Sequence, residues 1–336
     1  MTTPQAPLDV FVASTPLQLI SCSEARHAYD CVPEQSLLII ARPDNTETER
    51  QMAYLAETLG WQGVETVYLE KRSFYLRLGS VINRLSCRHI RRFFVGNKAS
   101  WIHEVFYRRF DSEGLIFVDD GLATVLYYHD MNTPPVASRI SRNKEKLLRA
   151  MGIRLMRCVP ESADFFSFFP LPATDRVSVR HHDFPVFRQT FDTQPRNPND
   201  VPLVGFLGQP FGGDDRLKRL ELQIRQVMRC HPGARIVYFM HRKERRDELL
   251  KLLACFPVDL RQAGRPIEVE VALSGEVYLA FYSFASTALF TLKTIFPDIR
   301  VVQIDDPALA SKLPFYEEIV SLFEKAGVDR LRITEG

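Results

Sequence analysis

Apolar residues along the chain gather into short runs rich in Val, Ile, Leu and Phe, separated by stretches where apolar and charged residues mix at helical spacing. Leu8-Asp9-Val10-Phe11-Val12-Ala13 predicts a first strand. Ser14-Thr15-Pro16 then supplies a capping residue followed by proline, so a helix is expected from Leu17 to Tyr29. Leu37–Ala41 and Val64–Leu69 repeat the strand pattern, with a polar helix over Glu47–Leu59 between them. Arg77–Arg92 is basic with interleaved apolar residues and reads as an amphipathic helix. Arg92–Gly96 and Leu115–Val118 read as two further strands around a helix from Trp101 to Phe110. This alternation is the signature of a doubly wound α/β domain.

After Leu122 the pattern changes. Arg139–Met151 carries a helical charge pattern, and Ser162–Pro170 is dense in aromatics, as at a packed interface. Thr190–Pro202, with Pro195, Pro198 and Pro202 among Asn and Asp, is the best linker candidate. Beyond it the alternation restarts. Leu203–Gly208, Arg235–Met240, Val277–Ser283 and Arg300–Ile304 read as strands, with helices expected up to Cys230, over Lys243–Leu253, Ala288–Ile295 and Tyr316–Ala326. Ile267–Leu273 fits either a strand or a short helix. The expected organisation is a Rossmann-like domain over residues 1–190 with a helical, aromatic insertion at about 138–175, a linker at 191–202, and a second Rossmann-like domain over 203–336. Two such domains facing a cleft form the α/β architecture called GT-B.

Composition narrows the class of protein without naming it. At 336 residues the chain exceeds the usual size of a single core, which agrees with two domains. Its net charge of +2 gives no global argument for nucleic acid, so none is expected as a partner. The six cysteines are scattered without zinc-ligand spacing and fit reduced thiols in a cytoplasm. No apolar run reaches bilayer length. The basic stretch 77–92 could lie peripherally on the cytoplasmic face of an inner membrane or be a solvated helix face.

Candidate chemistry sits where predicted strands end, because ligands of open α/β sheets bind outside the carboxyl ends of the strands. Asp119-Asp120-Gly121 closes one strand with two carboxylates, although Asp-Asp-Gly is also an ordinary turn. His241 directly follows another strand and could serve chemistry or merely structure. Asp214 and Asp215 follow the loop that begins at Gly208 and Gln209, and each could equally be an acid of a helix N-terminus. Ser286-Thr287 offers hydroxyls and free N–H groups to a phosphate, or simply caps a helix.

Several segments, in order, are similar to the bacterial lipooligosaccharide sialyltransferases of glycosyltransferase family 52 and, more distantly, to the capsule polysialyltransferases. They are Thr15-Pro16-Leu17-Gln18, Phe117–Gly121, Ser162–Phe165, Leu207-Gly208-Gln209-Pro210, Tyr238–His241, and Tyr282–Leu289 with Lys293 and Phe296-Pro297. The resemblance implies inverting, metal-independent transfer of sialic acid from CMP-sialic acid to a hydroxyl of a cell-surface glycan, with no cofactor. It implies Asp214 as base, with Asp215, Asp119 and Asp120 as rivals, and His241 at the departing phosphate. Gly208, Gln209, Phe284, Ser286 and Thr287 would then bind the nucleotide. Thr15, Gln18, Asp119, Asp120 and Gly121 would form the acceptor side. Two departures stand out. Arg242 follows His241 where the family has proline, and Phe211-Gly212-Gly213 separate the Leu-Gly-x-Pro turn from Asp214. A UDP-hexose transferase, a non-catalytic assembly protein of the same fold and a homodimeric state are compatible with the same residues.

Overall fold

The computed structural model describes residues 6–41, 46–68, 73–191, 193, 203–210, 215–311 and 313–333. The chain divides into two compact units, Met1–Thr190 and Phe191–Gly336. The expected linker at 191–202 falls almost entirely outside the described residues.

The first unit runs β1 (Leu8–Ala13), α1 (Pro16–Ala28), β2 (Ser36–Ala41), α2 (Thr46–Thr58), β3 (Gly63–Val67), α3 (Phe74–Leu85), β4 (Ile90–Val95) and α4 (Trp101–Arg109). It continues with β5 (Ser112–Val118), α5 (Ala123–Asn132), α6 (Arg142–Ala150), β6 (Ala163–Ser167), β7 (Val177–His181) and α7 (Pro185–Thr190). All seven strands are parallel, in the order β3-β2-β1-β4-β5-β6-β7. The central strands read as unbroken apolar runs because helices cover both faces of such a sheet. Phe11 and Phe94, on the paired strands β1 and β4, stack at 4.3 Å in its interior.

The second unit comprises β8 (Leu203–Leu207), α8 (Arg216–Cys230), β9 (Arg235–Phe239), α9 (Arg246–Leu253), β10 (Val258–Arg261) and α10 (Ile267–Ser274). It ends with β11 (Tyr278–Ser283), α11 (Thr287–Ile295), β12 (Arg300–Asp305), α12 (Pro307–Ala310), α13 (Tyr316–Lys325) and β13 (Asp329–Arg332). Its six parallel strands lie in the order β10-β9-β8-β11-β12-β13. Both sheets therefore reverse their winding beside their first strand, between β1 and β4 and between β8 and β11. This is the Rossmann arrangement, and the α/β, GT-B-type fold expected from the sequence is present.

Two expectations need correcting, and one ambiguity resolves. The aromatic segment at Ser162–Pro170 contributes β6, a strand of the first sheet, rather than part of a helical insertion. Phe165 and Phe166 are both buried, so the density of rings serves the two faces of a covered strand. The ambiguous run from Ile267 is a helix, started by Pro266 and ended by Gly275 in the left-handed region at φ 73°. The basic stretch 77–92 divides between α3 and β4. Phe74, Leu78, Val81, Ile82 and Leu85 of α3 all face the interior, which leaves Leu76 exposed by itself and no apolar stripe for lipid.

Gly205 shows how tightly the second sheet is filled. A Cβ built there would lie 2.2 Å from Cε1 of Phe281, a fully buried ring on the adjacent strand β11. Gly205→Ala should therefore lower the stability of the second unit by about 1–3 kcal/mol through overpacking. Urea denaturation monitored by tyrosine and tryptophan fluorescence would measure the change, and an unaltered midpoint would mean that Phe281 moves aside freely.

Candidate functional site

Each reversal of winding opens a gap between diverging loops at the carboxyl ends of the strands, and polar side chains collect in both gaps. In the first unit they come from the residues after β1, β4 and β5. Thr15 caps α1, its Oγ1 accepting from the Gln18 N–H at 3.3 Å. Gln18 is thereby fixed on the first turn of α1. Its Oε1 accepts from the Ser14 N–H at 2.6 Å, and its Nε2 donates to Asp120 Oδ1 at 2.5 Å. Gly96, just past β4, gives this amide room, since a Cβ there would approach Gln18 Cγ to 2.7 Å.

The two aspartates have different environments. Asp119 is fully buried; its Oδ1 accepts from Ser167 Oγ at 2.7 Å and its Oδ2 from the Phe168 N–H at 2.7 Å. His182 Nε2 lies 3.4 Å from the same Oδ2. Asp119 thus ties the ends of β5 and β6 together instead of facing an acceptor. Asp120 is half-buried, and besides Gln18 it receives the Tyr127 hydroxyl at 2.8 Å on Oδ2. These bonds hold the Asp120 carboxylate in one position at the end of β5. Gly121 follows in the left-handed region at φ 64°, so the turn reading of Asp-Asp-Gly holds together with the polar cluster.

His103, on the buried face of α4, holds this gap from beneath. The Asn97 N–H points at its Nδ1 at 3.2 Å, which makes Nδ1 the acceptor and leaves the proton on Nε2. Nε2 in turn lies 2.7 Å from Ser14 Oγ, which donates onward to the Ala41 carbonyl. One imidazole so joins the loops after β1 and β4 to the last residue of β2. Burial pushes its pKa down to about 3, so the ring is neutral at ordinary pH. Tyr127 belongs to the same cluster and lies 3.1 Å from Asn97 Oδ1 as well. Desolvation, reinforced by the Asp120 carboxylate, keeps its phenol protonated.

In the second unit Gly208 and Gln209 follow β8. Gln209 Oε1 accepts from the Ala285 N–H at 3.3 Å, bridging the reversal to the loop after β11. Ser283 Oγ donates to the Leu207 carbonyl at 2.9 Å across the same pair of strands. Ser286 is the N-cap of α11 and accepts from the Ala288 N–H at 3.3 Å, with Thr287 as the first helical residue. Phe284 is buried and stacks on Tyr316 at 5.5 Å, and it also lines a cavity with Leu207, Gln209 and Glu244.

His241 lies two residues beyond β9. Its Nδ1 accepts from the Lys243 N–H at 3.1 Å, leaving the neutral ring with its proton on Nε2. Desolvation, and then the charges of Arg242 and Lys243, push its pKa down to about 4. Glu244 closes the turn: its Oε2 accepts from the His241 N–H at 2.8 Å, and its own N–H donates to the His241 carbonyl at 2.9 Å. Tyr238 donates to the other oxygen of Glu244 at 2.7 Å. A Cβ at residue 208 would lie 2.2 Å from Glu244 Oε2, so Gly208 leaves the space in which this acid sits. The histidine turn is therefore ordered by an acid three residues on, with Arg242 directly after His241.

Asp214 lies outside the described residues, and Asp215 is the N-cap residue of α8 without a side-chain capping bond. Sequence reading passed over Ser14, Asn97, His103, Tyr127 and Glu244. A histidine between the buried apolar positions Ile102 and Val105 of α4 was the available signal for His103. Tyr127 required recognition of α5. Glu268 was also missed: it is buried in α10, accepts from Thr291 Oγ1 at 2.5 Å, and burial raises its pKa. Among the described residues no three His, Cys, Asp or Glu side chains gather as a metal site would need.

The depressed pKa of His103 has a sign that can be checked. Below its unfolded value near 6.5 the unfolded chain binds a proton that the native ring refuses, so the native state loses stability as pH falls from there towards 3. For this one group the loss at pH 5 relative to pH 7.5 should be ~2 kcal/mol. Denaturant titrations of wild type and His103→Gln at both pH values should show a shallower pH dependence in the variant; equal slopes would refute a buried neutral imidazole.

No protein-family model matches the chain, and no curated protein matches it. Solved structures do. A UDP-GlcNAc 2-epimerase from Neisseria meningitidis bound to UDP-GlcNAc superposes with a TM-score of 0.55 at 13% identity, over 95% of this chain and 90% of that one. A sialyltransferase from Photobacterium damsela gives 0.53 at 13% identity, over 98% and 82%. A 2,6-sialyltransferase from Photobacterium sp. JT-ISH-224, in a ternary complex with CMP and lactose, gives 0.54 at 14% identity, over 97% and 78%. At these identities the likeness establishes the fold, and the chain has the GT-B fold that these nucleotide-sugar enzymes share.

Proposed function

We propose that this chain is an inverting, metal-independent sialyltransferase that moves sialic acid from CMP-sialic acid to a hydroxyl of a cell-surface glycan such as lipooligosaccharide or capsule. The reading is carried by one observation: each Rossmann unit has its own polar cluster at the strand ends, an oriented carboxylate in the first and an oriented histidine with a serine-capped helix in the second. Asp120 takes the proton of the acceptor hydroxyl as its oxygen attacks the anomeric carbon. The bond from that carbon to the phosphate oxygen breaks with inversion, through an oxocarbenium-like state. CMP departs with the bonding pair. His241 donates from Nε2 to the leaving phosphate, and the N-terminus of α11 with Ser286 and Thr287 receives its charge. Gly208 and Gln209 shape the nucleotide side, and Thr15 and Gln18 hold Asp120 on the acceptor side. Asp214 is the rival base.

A UDP-sugar enzyme is the second reading, favoured by the comparable likeness to the UDP-GlcNAc 2-epimerase. Incubation of the protein with CMP-sialic acid or a panel of UDP-sugars, followed by chromatography of released nucleotide, separates the two. Release of CMP alone is expected; release of UDP alone would replace the first reading by the second.

His241→Ala and Asp120→Asn should each lower kcat by about 10²–10⁴-fold, the range for loss of a proton-transfer group. Asp120→Asn should leave CMP affinity by calorimetry unchanged. Full activity of Asp120→Asn together with an inactive Asp214→Asn would transfer the role of base to Asp214. Addition of EDTA should leave the rate unaltered.

A further inference from the structure

Helix α6 is unusual for its setting, because only Leu148 among its nine residues is buried. A helix that packs on a core ordinarily buries a stripe of three or four residues every two turns. Here apolar residues face water instead. Leu147 and Met151, four apart and hence on one face, are 43% and 37% exposed, and Met156 just beyond is 69% exposed. Arg142, Lys146 and Arg149, at spacings of four and three, form the neighbouring stripe.

Charge is concentrated in the same place. Residues 139–158 carry seven Lys and Arg against a single Glu, in a chain whose net charge is only +2. Part of this is neutralised: Arg139 pairs with Asp130 at 2.6 Å, Arg149 with Glu145 at 3.7 Å, and Arg157 with Asp111. Lys144 lies over the Trp101 ring at 3.9 Å, which anchors the helix to α4. Arg142, Lys146 and Arg154 form no ion pair among the described residues, and all three are exposed. An exposed helix with free cations beside protruding aliphatic side chains matches the interfacial zone of a bilayer, which is anionic at the headgroups and apolar just below them. A soluble polyanion would satisfy the cations and leave Leu147, Met151 and Met156 in water.

We propose that α6 and the segment following it dock this protein on an anionic lipid bilayer. Leu147, Met151 and Met156 enter the headgroup boundary, while Arg142, Lys146 and Arg154 pair with lipid phosphates. This surface replaces the stretch 77–92, whose apolar residues are committed to the core, and it stands whichever donor sugar the protein uses.

The full chain would be sedimented with extruded vesicles of phosphatidylcholine alone or with about one third phosphatidylglycerol. Binding to the anionic vesicles only, weakened by salt, is expected. Arg142→Glu with Lys146→Glu should reduce partitioning by about tenfold or more, since each basic residue near such a surface contributes about fivefold. Leu147→Ser with Met151→Ser should also reduce it, and thermal melting should show both variants folded. If the charge reversal impairs folding, Arg142→Gln with Lys146→Gln gives the same comparison. The proposal is overturned if wild type ignores anionic vesicles, if it binds neutral ones equally, or if the substitutions change nothing. Retention on heparin without vesicle binding would point to a soluble polyanion instead, and would equally overturn it.

Discussion

The parallel pairing of β1 with β4, repeated as β8 with β11, is the constraint from which the rest of the structure follows. Chain winding departs in opposite directions from the two members of each pair, so the loops at their carboxyl ends diverge and leave space that backbone alone cannot fill. Side chains fill it. Their polarity follows from the free N–H groups and carbonyls of strand ends and helix starts, which must be paired when water is partly excluded. The two candidate sites are consequences of the same topology and need no shared sequence.

Each gap is stabilised by a buried group that does not itself have to meet a ligand. In the first unit it is the neutral imidazole of His103, which joins the loops after β1 and β4 and the end of β2 through Ser14 and Asn97. In the second it is Glu244, which accepts from Tyr238 and from the backbone of His241. Desolvation raises the pKa of this acid, and its two donors offset part of that cost. His103 orders the loops that carry Ser14 and Asn97, whose neighbours Gln18 and Tyr127 bond Asp120, and Glu244 orders the backbone at His241. Such preorganisation is what proton transfer and phosphate stabilisation require.

Much of the architecture was legible because the central strands are apolar on both faces. β1, β2, β5, β8, β9, β11 and β12 all appear as Val, Ile, Leu and Phe runs. The edge strands were harder: β7 (VSVRH), β10 (VDLR) and β13 (DRLR) are short and charged, as exposed edges tend to be, and so resemble loops. α5 was invisible for a different reason, since its apolar and polar residues do not segregate onto one face. Of the site, residues placed directly after a strand could be read, as Asp120 and His241 were. The supports His103 and Tyr127 could not, because they reach the site from helices whose relation to it only the tertiary fold creates, whereas Glu244 lies in the same turn as His241 and was a local signal.

The turn at His241 bears on how a histidine at a strand end can be ordered without proline. Proline after the histidine would restrict the backbone by its ring, whereas Glu244 achieves a comparable restriction with a carboxylate seated against Gly208. The two solutions involve different positions and different chemistry. An acid three residues past a strand-end histidine, seated against the glycine of a neighbouring strand end, is thus a local device that orders such a turn where no proline follows the histidine.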